Sequence, residues 1–161
     1  MGVEGDLVAA RMARGCRPFA AWVDGGIAGY GWMSREREWI GELQLEIAPR
    51  AGEGYVWNCV TLPEHRRRGI FHSLLIGIPA VLKRERLSRL WIGSVAMPAE
   101  NAVGSAGFAR ALQFTAIKHA DLIWLSVKRP AEGDPSLSTD ACQVLRVRPG
   151  SFLRTSHPRR H

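Results

Sequence analysis

The sequence has few cysteines, no long apolar run and no secretory-type start, and each of these shortages excludes a class of protein. No apolar stretch approaches the roughly 20 residues that a membrane-spanning helix needs, so no membrane partner is expected. Residues 1–15 lack a basic end followed by an apolar block, so no secretory signal is predicted. The three cysteines are odd in number and show no CxxC spacing. Neither a disulfide framework nor a bound metal is therefore expected, and the chain suits a reducing cytoplasm.

The length and composition suit one globular domain with a substantial core. The chain has 161 residues, of which 46% are hydrophobic. Its formal net charge of +7 raises the question of nucleic-acid binding. Much of the excess lies in Arg66–Arg68 and between Lys128 and His161, where seven Lys and Arg residues stand against three acidic ones. A solvated basic tail is therefore favoured over a surface that binds nucleic acid.

Apolar periodicity and turn signals predict a series of helices and strands. Asp24-Gly25-Gly26 predicts a hairpin turn, and Gly29 and Gly31 in the following strand predict a bulge or a close backbone approach. Pro79 is expected to kink its helix or to end the regular part of it. The predicted helices span 5–14, 69–85 and 102–112, and the predicted strands span 17–23, 27–33, 55–62, 90–95, 114–118 and 122–128. The segment 39–47 stays open between a strand and an irregular stretch.

The combination of an opening hairpin with alternating strands and helices predicts an α+β fold around a sheet of mixed direction. Beyond residue 129 the composition changes to Pro, Gly, Ser, Asp and Arg. We therefore expect one domain over residues 1–129 and a basic, flexible or loosely attached tail over residues 130–161.

The most informative segment runs from Val60 to Phe71, out of a strand, through a basic turn and into a helix. The first N–H groups of a helix lack intrahelical acceptors, and the helix dipole adds positive potential there, so a phosphate is well accommodated. Gly69 removes the side chain where the backbone must approach the anion, and Arg66–Arg68 add charge-assisted donors. A solvated charge cluster is the alternative, but the preceding strand and the glycine favour a phosphate site.

This segment resembles the acyl-CoA signature of the GNAT acetyltransferase superfamily, [R/Q]-x-x-G-x-[G/A] after a strand and a Pro-x-x step. Arg66 and Gly69 match its first two fixed positions, and Phe71 replaces the final small residue. The resemblance implies a mostly antiparallel sheet, shortened at the N-terminus, and acetyl-CoA or another acyl-CoA as co-substrate. It implies that the pantetheine arm bonds to the main chain of Val60 and Leu62. The amides implied for the diphosphate are those of Arg66, Arg67, Arg68, Gly69, Ile70 and Phe71.

A second block resembles the Asn-containing helix of the same family. Asn101 and Ser105 stand where relatives bring an Asn and a small hydroxyl residue towards CoA, with one extra residue between them here. The resemblance implies that both bind the cofactor. Asn101 would equally suit a helix cap, and Ser105 a helix surface.

The activity that the resemblance implies is direct transfer of an acyl group to an amine of a small molecule, amino acid or peptide. This reaction needs a base for the ammonium and donors for the thioester oxygen. Many relatives have a tyrosine one position after Phe108, which is Ala109 here, and some have a glutamate where Tyr55 stands. The candidate catalytic residues are Glu53, Tyr55 as an orienting group, and Ser105 acting through a water, with Glu42, Glu46 and His119 as further candidate bases.

Other residues near the implied site allow two interpretations each. Cys59 would lie beside the thioester, where a covalent acyl-cysteine is conceivable, although a small core residue is favoured. Trp22, Trp32, Trp39 and Trp57 would line an acceptor pocket or belong to the core. Relatives usually have an additional strand and helix first, so part of the acceptor wall is expected to be absent or to come from a partner chain. This favours a homodimer.

Two alternative functions stay open. A non-catalytic acyl-CoA-binding or sensor domain would also lack the usual tyrosine and an assigned base. A nucleic-acid-binding module that uses the arginine cluster and the tail is less favoured, and it predicts steeply salt-dependent binding of oligonucleotides.

Overall fold

Asp24 and Gly25 form a tight turn between β1 (Arg17–Val23) and β2 (Gly26–Ser34). Both turn residues have positive φ, 50° for Asp24 and 79° for Gly25. This is the backbone of a two-residue turn whose twist matches that of the flanking strands. The predicted hairpin is confirmed.

The computed structural model describes residues 3–41, 45–94, 99–109, 113–119, 122–128, 143–147 and 153–155. The chain divides into two units, residues 1–36 with 49–108 and residues 37–48 with 109–161. The other elements are α1 (Val3–Ala13), β3 (Glu38–Ile40), β4 (Leu45–Ile47), β5 (Glu53–Thr61), a 3-10 turn (Pro63–His65), α2 (Ile70–Arg84), β6 (Arg89–Ile92), α3 (Ala99–Ser105), β7 (Gln113–His119), β8 (Leu122–Lys128), β9 (Leu145–Val147) and β10 (Leu153–Thr155). None of these described helices has the length and apolarity needed to cross a membrane.

The first unit is built on a four-stranded sheet in the order β1-β2-β5-β6. β2 pairs antiparallel with both β1 and β5, whereas β5 and β6 are parallel. α2 makes the crossover between β5 and β6, because parallel neighbours cannot be joined by a short turn. The predicted α+β fold with a mixed, mostly antiparallel sheet is confirmed.

β5 bulges in the middle of its pairing with β2. Tyr30 faces Val60 and Trp32 faces Trp57, so β5 carries one residue more than β2 over this stretch. Asn58 lies in the bulge with a φ of 48°, a conformation that Asn tolerates better than most residues. The bulge expected in this part of the sheet is present, and its extra residue belongs to β5.

Gly29 and Gly31 let α2 pack directly against β2. A Cβ on Gly29 would lie 2.8 Å from Cγ2 of Ile70, and a Cβ on Gly31 would lie 3.2 Å from Cδ1 of Ile78. Both distances are shorter than the 3.5–4.0 Å or so of an ordinary carbon–carbon contact. The close backbone approach predicted for these glycines is therefore confirmed.

α2 carries an apolar stripe repeated every three or four residues, which is the pattern of a helix lying on a sheet. Leu74, Ile78 and Leu82 of this stripe form the core cluster with Met33 and Val56. Full burial of each such side chain contributes about 1.5–3 kcal/mol. The stripe therefore accounts for both the position and the orientation of α2.

Pro79 lies inside α2 without ending it. The helix continues to Arg84. A proline lacks the N–H that would bond to the carbonyl of Leu75, but the buried Ile78 and Leu82 hold the turns on either side against the sheet. Of the two outcomes expected for Pro79, an end of the regular helix is wrong, and a kink stays a prediction.

The bulge also decides which side chains of β5 face α2. Val56 packs in the α2 core, and Cys59 lies against the same cluster. In an unbroken strand, residues three apart point to opposite faces. The extra residue at the bulge therefore reverses the face of each later side chain of β5, so that Cys59 points to the same side as Val56. Trp57 lies on the opposite face, stacked on Trp32 with 6.3 Å between ring centroids.

The second unit contains two three-stranded sheets, β3-β4-β9 and β10-β8-β7. The segment left open by the sequence, 39–47, contains most of β3 and all of β4, and the predicted closing strands are β7 and β8, paired antiparallel. β9 and β10 belong to the tail predicted over 130–161, and they pair with β4 and β8. The flexible or loosely attached character expected for the tail stays a prediction. The rest of the tail lies outside the described residues, and the boundary at residue 129 stays a prediction.

Candidate active site

β5 and β6 pair over only the first half of β5. Their pairing runs from Glu53 with Arg89 to Val56 with Ile92, whereas β5 continues to Thr61. Among the described residues, those of β5 after Val56 have a strand partner only in β2. Within the described part of the chain, the other edge of this half of β5 therefore faces a gap, and an open strand edge can bind an extended ligand as it would another strand.

A hydrogen bond from Leu62 N to Ala28 O, 2.9 Å long, determines which main-chain groups face the gap. In an antiparallel pair, a residue bonded to the partner strand turns both its N–H and its C=O towards it, and its neighbours turn theirs away. Leu62 and Val60 therefore face β2, whereas Thr61 and Cys59 face the gap. The main-chain contacts with pantetheine predicted at Val60 and Leu62 stay predictions, and the groups that face the gap in this register belong to their neighbours.

The strand leads into a turn whose backbone suits an anion. Arg67 and Gly69 have positive φ, 60° and 74°, and such turns bring successive N–H groups together in a concave nest. The first hydrogen bond of α2 runs from Ser73 N to Gly69 O. The N–H groups of residues 70–72 consequently have no acceptor within the helix.

The three arginines of the turn are all exposed. The N–H of Arg66 donates to Pro63 O at 3.3 Å, which leaves the later amides of the predicted set for a diphosphate. Nη1 of Arg68 lies 3.2 Å from Nδ1 of His65, so this side chain is tied to the turn. The side chains of Arg66, Arg67 and Arg68 together add positive charge at the N-terminus of α2.

The positive φ at position 69 favours glycine, whereas the packing around this position does not require one. A Cβ at this position would meet no described protein atom within 4 Å. No described residue therefore fills the space that a side chain at position 69 would enter.

Asn101 and Ser105 both lie on α3, which begins at Ala99. Asn101 is therefore inside the helix and not its cap. Oγ of Ser105 donates to Ala102 O at 3.0 Å, so this hydroxyl is bonded within its own helix. α3 is shorter than the helix predicted over 102–112, because Gly107 adopts a φ of 92°, which ends a helix. The CoA contacts of Asn101 and Ser105 stay predictions.

Glu53 is a buried carboxylate held by three donors. Oε2 accepts hydrogen bonds from Nε1 of Trp91 at 2.9 Å and from the N–H of Arg50 at 3.1 Å. Oε1 lies 3.5 Å from Nη1 of Arg89. The carboxylate therefore ties the start of β5 to β6, just before the two strands diverge. The sequence did not identify Trp91 and Arg89 as partners, because no sequence signal links them to Glu53. The role of Glu53 as a base stays a prediction.

Tyr55 is buried beside β6, opposite Trp91 in the strand register. Its hydroxyl lies 3.5 Å from the point where a Cβ on Gly93 would be. Gly93 follows the last residue of β6, so the Tyr55 hydroxyl lies where β5 and β6 part. This position suits the orienting role expected for Tyr55, which stays a prediction.

Cys59 is a half-buried free thiol on the α2 face of β5. Burial disfavours the charged thiolate and raises the pKa of Cys59 to about 11. The thiol is therefore protonated at neutral pH, and a protonated thiol is a poor nucleophile.

The remaining candidate bases belong to the second unit. Oε1 of Glu46 lies 3.8 Å from Nη1 of Arg37 in an ion pair. His119 is the last residue of β7, its side chain is not described, and Glu42 lies outside the described residues.

The tryptophans proposed for an acceptor pocket fall into two groups. Trp22 and Trp39 are exposed. Trp32 is buried and Trp57 half-buried, and the guanidinium of Arg11, from α1, lies over both rings. Sequence reasoning missed Arg11, because a single arginine in a short amphipathic helix is usually solvated.

Comparison with known proteins agrees with this architecture. The Acetyltransferase (GNAT) family matches residues 6–114, more than half of the 161-residue chain. No curated protein sequence matches the chain at a significant level.

Two solved structures have a similar fold. A putative acetyltransferase from Agrobacterium tumefaciens strain C58 is 16% identical and superposes with a TM-score of 0.53, covering 74% of this chain and 80% of its own. Glucosamine-6-phosphate N-acetyltransferase from Arabidopsis thaliana is 11% identical with a TM-score of 0.50, covering 73% of this chain and 76% of its own. With the family match, the open edge of β5 and the turn at Gly69, these findings agree on one assignment. The chain belongs to the GNAT acetyltransferase family and is an acyl-CoA-dependent N-acetyltransferase.

Proposed function

We propose that this enzyme transfers the acyl group of an acyl-CoA directly to an amine of a small molecule, an amino acid or a peptide. The observation that carries the proposal is the gap beside the second half of β5, followed on the same strand by the turn at Gly69. An extended pantetheine arm fits along the main chain of Cys59 and Thr61 as an added strand would. The diphosphate then meets the N–H groups at the start of α2.

The reaction in this site is a nucleophilic substitution at the thioester carbon. The amine nitrogen attacks that carbon, the C–N bond forms, and the carbonyl electron pair moves to oxygen. Main-chain N–H groups of the bulged part of β5 stabilise this developing negative charge. The C–S bond then breaks, CoA leaves as a thiolate, and the proton lost by the nitrogen ends on the sulfur.

The side chains closest to this chemistry act by positioning. The Tyr55 hydroxyl orients the acceptor or protonates the leaving thiolate, which needs little help because thiols ionise near pH 8.5. Glu53 keeps β5 and β6 in register, and it acts as a base only if a water links it to the amine. The Ser105 hydroxyl reaches the site only if its hydrogen bond to Ala102 O breaks. We therefore assign Ser105 the smallest contribution to catalysis.

The expected setting is the cytoplasm, because the three cysteines are odd in number and lack CxxC spacing, a pattern that suits a reducing compartment. A homodimer stays a prediction.

A non-catalytic acyl-CoA-binding domain is the alternative that the sequence left open, and the family assignment disfavours it. Two observations are the reason to test it. Both oxygens of Glu53 already face protein donors, and Ala109 replaces the tyrosine that serves as acid in many relatives.

One set of measurements separates the two functions. Calorimetry and thermal denaturation with acetyl-CoA and longer acyl-CoAs report binding, and thiol release in the presence of an amine panel reports transfer. We expect binding together with amine-dependent thiol release, and a decrease of about tenfold or more in kcat for Tyr55→Phe. Binding without thiol release for any amine would favour the sensor domain, and no binding of any acyl-CoA would contradict both functions.

A further inference from the structure

The turn before α2 carries three arginines that no described carboxylate neutralises. Arg66, Arg67 and Arg68 are all exposed, and none of them forms an ion pair with a described residue, not even with Glu64 of the same turn. Arginines elsewhere in the described part of the chain do pair with a glutamate, namely Arg17, Arg35, Arg37 and Arg89. The turn is therefore an accessible and unneutralised positive surface.

The fold itself does not account for two of these side chains. Arg68 is tied to the turn by the 3.2 Å contact between its Nη1 and Nδ1 of His65. The guanidinium groups of Arg66 and Arg67 have no hydrogen-bond partner among the described residues. Arg67 also has a φ of 60°, a conformation that glycine adopts without the steric penalty an arginine meets. An arginine at position 67 is therefore not explained by the described contacts of the turn.

The cofactor brings a strongly charged group to this surface. In CoA, the diphosphate joins the pantetheine arm to an adenosine whose ribose carries a 3′-phosphate. In the proposed function the arm lies along β5 and the diphosphate at the start of α2, so the ribose continues past the turn on its solvent side. A phosphate monoester carries about −1.5 to −2 charges at pH 7. The 3′-phosphate is thus the group of CoA that best matches the exposed arginines.

We propose that the guanidinium groups of Arg66 and Arg67 bind the 3′-phosphate of CoA, so that the enzyme distinguishes CoA thioesters from donors that lack this phosphate. The inference rests on the proposed function and assigns the donor specificity within it. A guanidinium forms two parallel charge-assisted hydrogen bonds with a phosphate. The main-chain N–H groups at the start of α2 meet the same diphosphate with or without the 3′-phosphate, so the discrimination comes from the two side chains.

The decisive experiment compares CoA with 3′-dephospho-CoA, which differ only in this phosphate. Calorimetry on the unaltered protein measures both affinities, and thiol release with an amine panel measures turnover of the two acetyl thioesters. We expect CoA to bind about 10- to 100-fold more tightly, the range of charge-assisted hydrogen bonds. The difference should shrink at high salt, because exposed charges are screened.

The kinetic comparison has its own expected pattern. The ribose is remote from the thioester, so its contacts are the same in the ground state and in the transition state. Removal of the 3′-phosphate should therefore raise KM by the same 10- to 100-fold or so and leave kcat nearly unchanged.

Three variants assign the preference to the two arginines. The double variant Arg66→Met/Arg67→Met should lose most of its affinity for CoA and much less of its affinity for 3′-dephospho-CoA. Arg67→Gly removes one guanidinium and relieves the positive φ, so it should reduce the preference without loss of stability in thermal denaturation. Arg84→Met removes an exposed charge from the last turn of α2 and should keep the full preference.

The outcomes separate this inference from the proposed function. Equal affinities for CoA and 3′-dephospho-CoA in the unaltered protein, or a preference that survives in full in both Arg67→Gly and the double variant, overturn the assignment of the 3′-phosphate. If CoA binds but no amine is acetylated, the proposed function fails, and the calorimetric comparison still decides whether Arg66 and Arg67 bind the phosphate. If neither compound binds, both fail.

Discussion

The sulfur of Cys59 occupies the space that a side chain on Gly31 would need. A Cβ built on Gly31 would lie 2.8 Å from Sγ of Cys59, well inside the contact distance of the two atoms. Gly31 has no positive φ, so its backbone would accept alanine. The glycine in β2 is therefore required by the thiol that the bulge of β5 turns towards α2.

The first prediction concerns this pair. Gly31→Ala should lower the free energy of unfolding by about 1–3 kcal/mol, because it overpacks the core. Adding Cys59→Ala should recover part of the loss, with an interaction energy of about 1 kcal/mol in a double-mutant cycle measured by chemical denaturation.

Gly29→Ala is the matched control for that cycle. Its Cβ would lie 2.7 Å from the carbonyl oxygen of Val60, which no side-chain substitution removes. Cys59→Ala should therefore not rescue Gly29→Ala, and equal rescue of both glycine variants would contradict the contact between Gly31 and Cys59.

The second prediction is a pH dependence that originates in Cys59. The unfolded chain ionises this thiol near pH 8.5, whereas burial holds its pKa at about 11 in the folded protein. Between these values the unfolded state has lost the proton and the folded state has kept it, so stability falls as the pH rises. The expected slope approaches about 1.4 kcal/mol per pH unit.

This effect is measured as the difference in unfolding free energy between the unaltered protein and Cys59→Ala from pH 7.5 to pH 10.5 or so. Lysines and tyrosines titrate in both proteins, so the difference isolates the thiol. A difference that stays constant over this range would show that the thiol ionises freely. Cys59→Ala should also keep its acyl-transfer activity, because a protonated thiol is not the nucleophile.

The third prediction separates backbone strain from ligand contact at Gly69. Gly69→Ala and Gly25→Ala both place a side chain at positive φ with no atom of the described residues within 4 Å, and each should cost about 1–2 kcal/mol of stability. Only the substitution at Gly69 should weaken acyl-CoA binding, and Gly69→Trp should abolish it while the protein stays folded. The readouts are thermal denaturation and calorimetry with acetyl-CoA, and unchanged affinity in Gly69→Trp would remove the diphosphate from this turn.

The fourth prediction concerns the anchored carboxylate. Glu53→Ala leaves Nε1 of Trp91 without its acceptor and removes the negatively charged partner of Arg89. The free energy of unfolding is therefore expected to fall by about 3–5 kcal/mol. Glu53→Gln keeps an acceptor for Trp91 and should cost less. Glu36→Gln, an exposed carboxylate after β2, serves as the control in chemical denaturation.

The same variants test whether Glu53 is the base. If Glu53 only holds the strands together, turnover per folded molecule should change little in Glu53→Gln. A fall in kcat of about 100-fold or more with nearly unchanged stability would instead make Glu53 the catalytic base.

Local features were predictable wherever neighbouring residues decide the structure. Asp24 and Gly25 favour one kind of turn, the apolar stripe of α2 favours one kind of helix, and Gly69 directly precedes that helix, which indicates an anion site. Features that depend on distant residues were not predictable. Glu53 and Trp91 meet only because β5 and β6 are parallel neighbours, and Pro79 stays helical only because the sheet holds the turns around it.

The sequence by itself determined the family, the order of the main helices and strands, and the turn that is predicted to receive the diphosphate, because each of these depends on residues a few positions apart. Only the tertiary structure decided that Thr61 and Cys59 face the gap, that Glu53 is tied to Trp91, and that Arg11 stacks on Trp57. The last two contacts join residues that only the fold brings together, whereas the orientation of Thr61 and Cys59 depends on the bulge at Asn58. One extra residue in a strand reverses the face of every residue after it, and this reversal can be seen only once the partner strand is known.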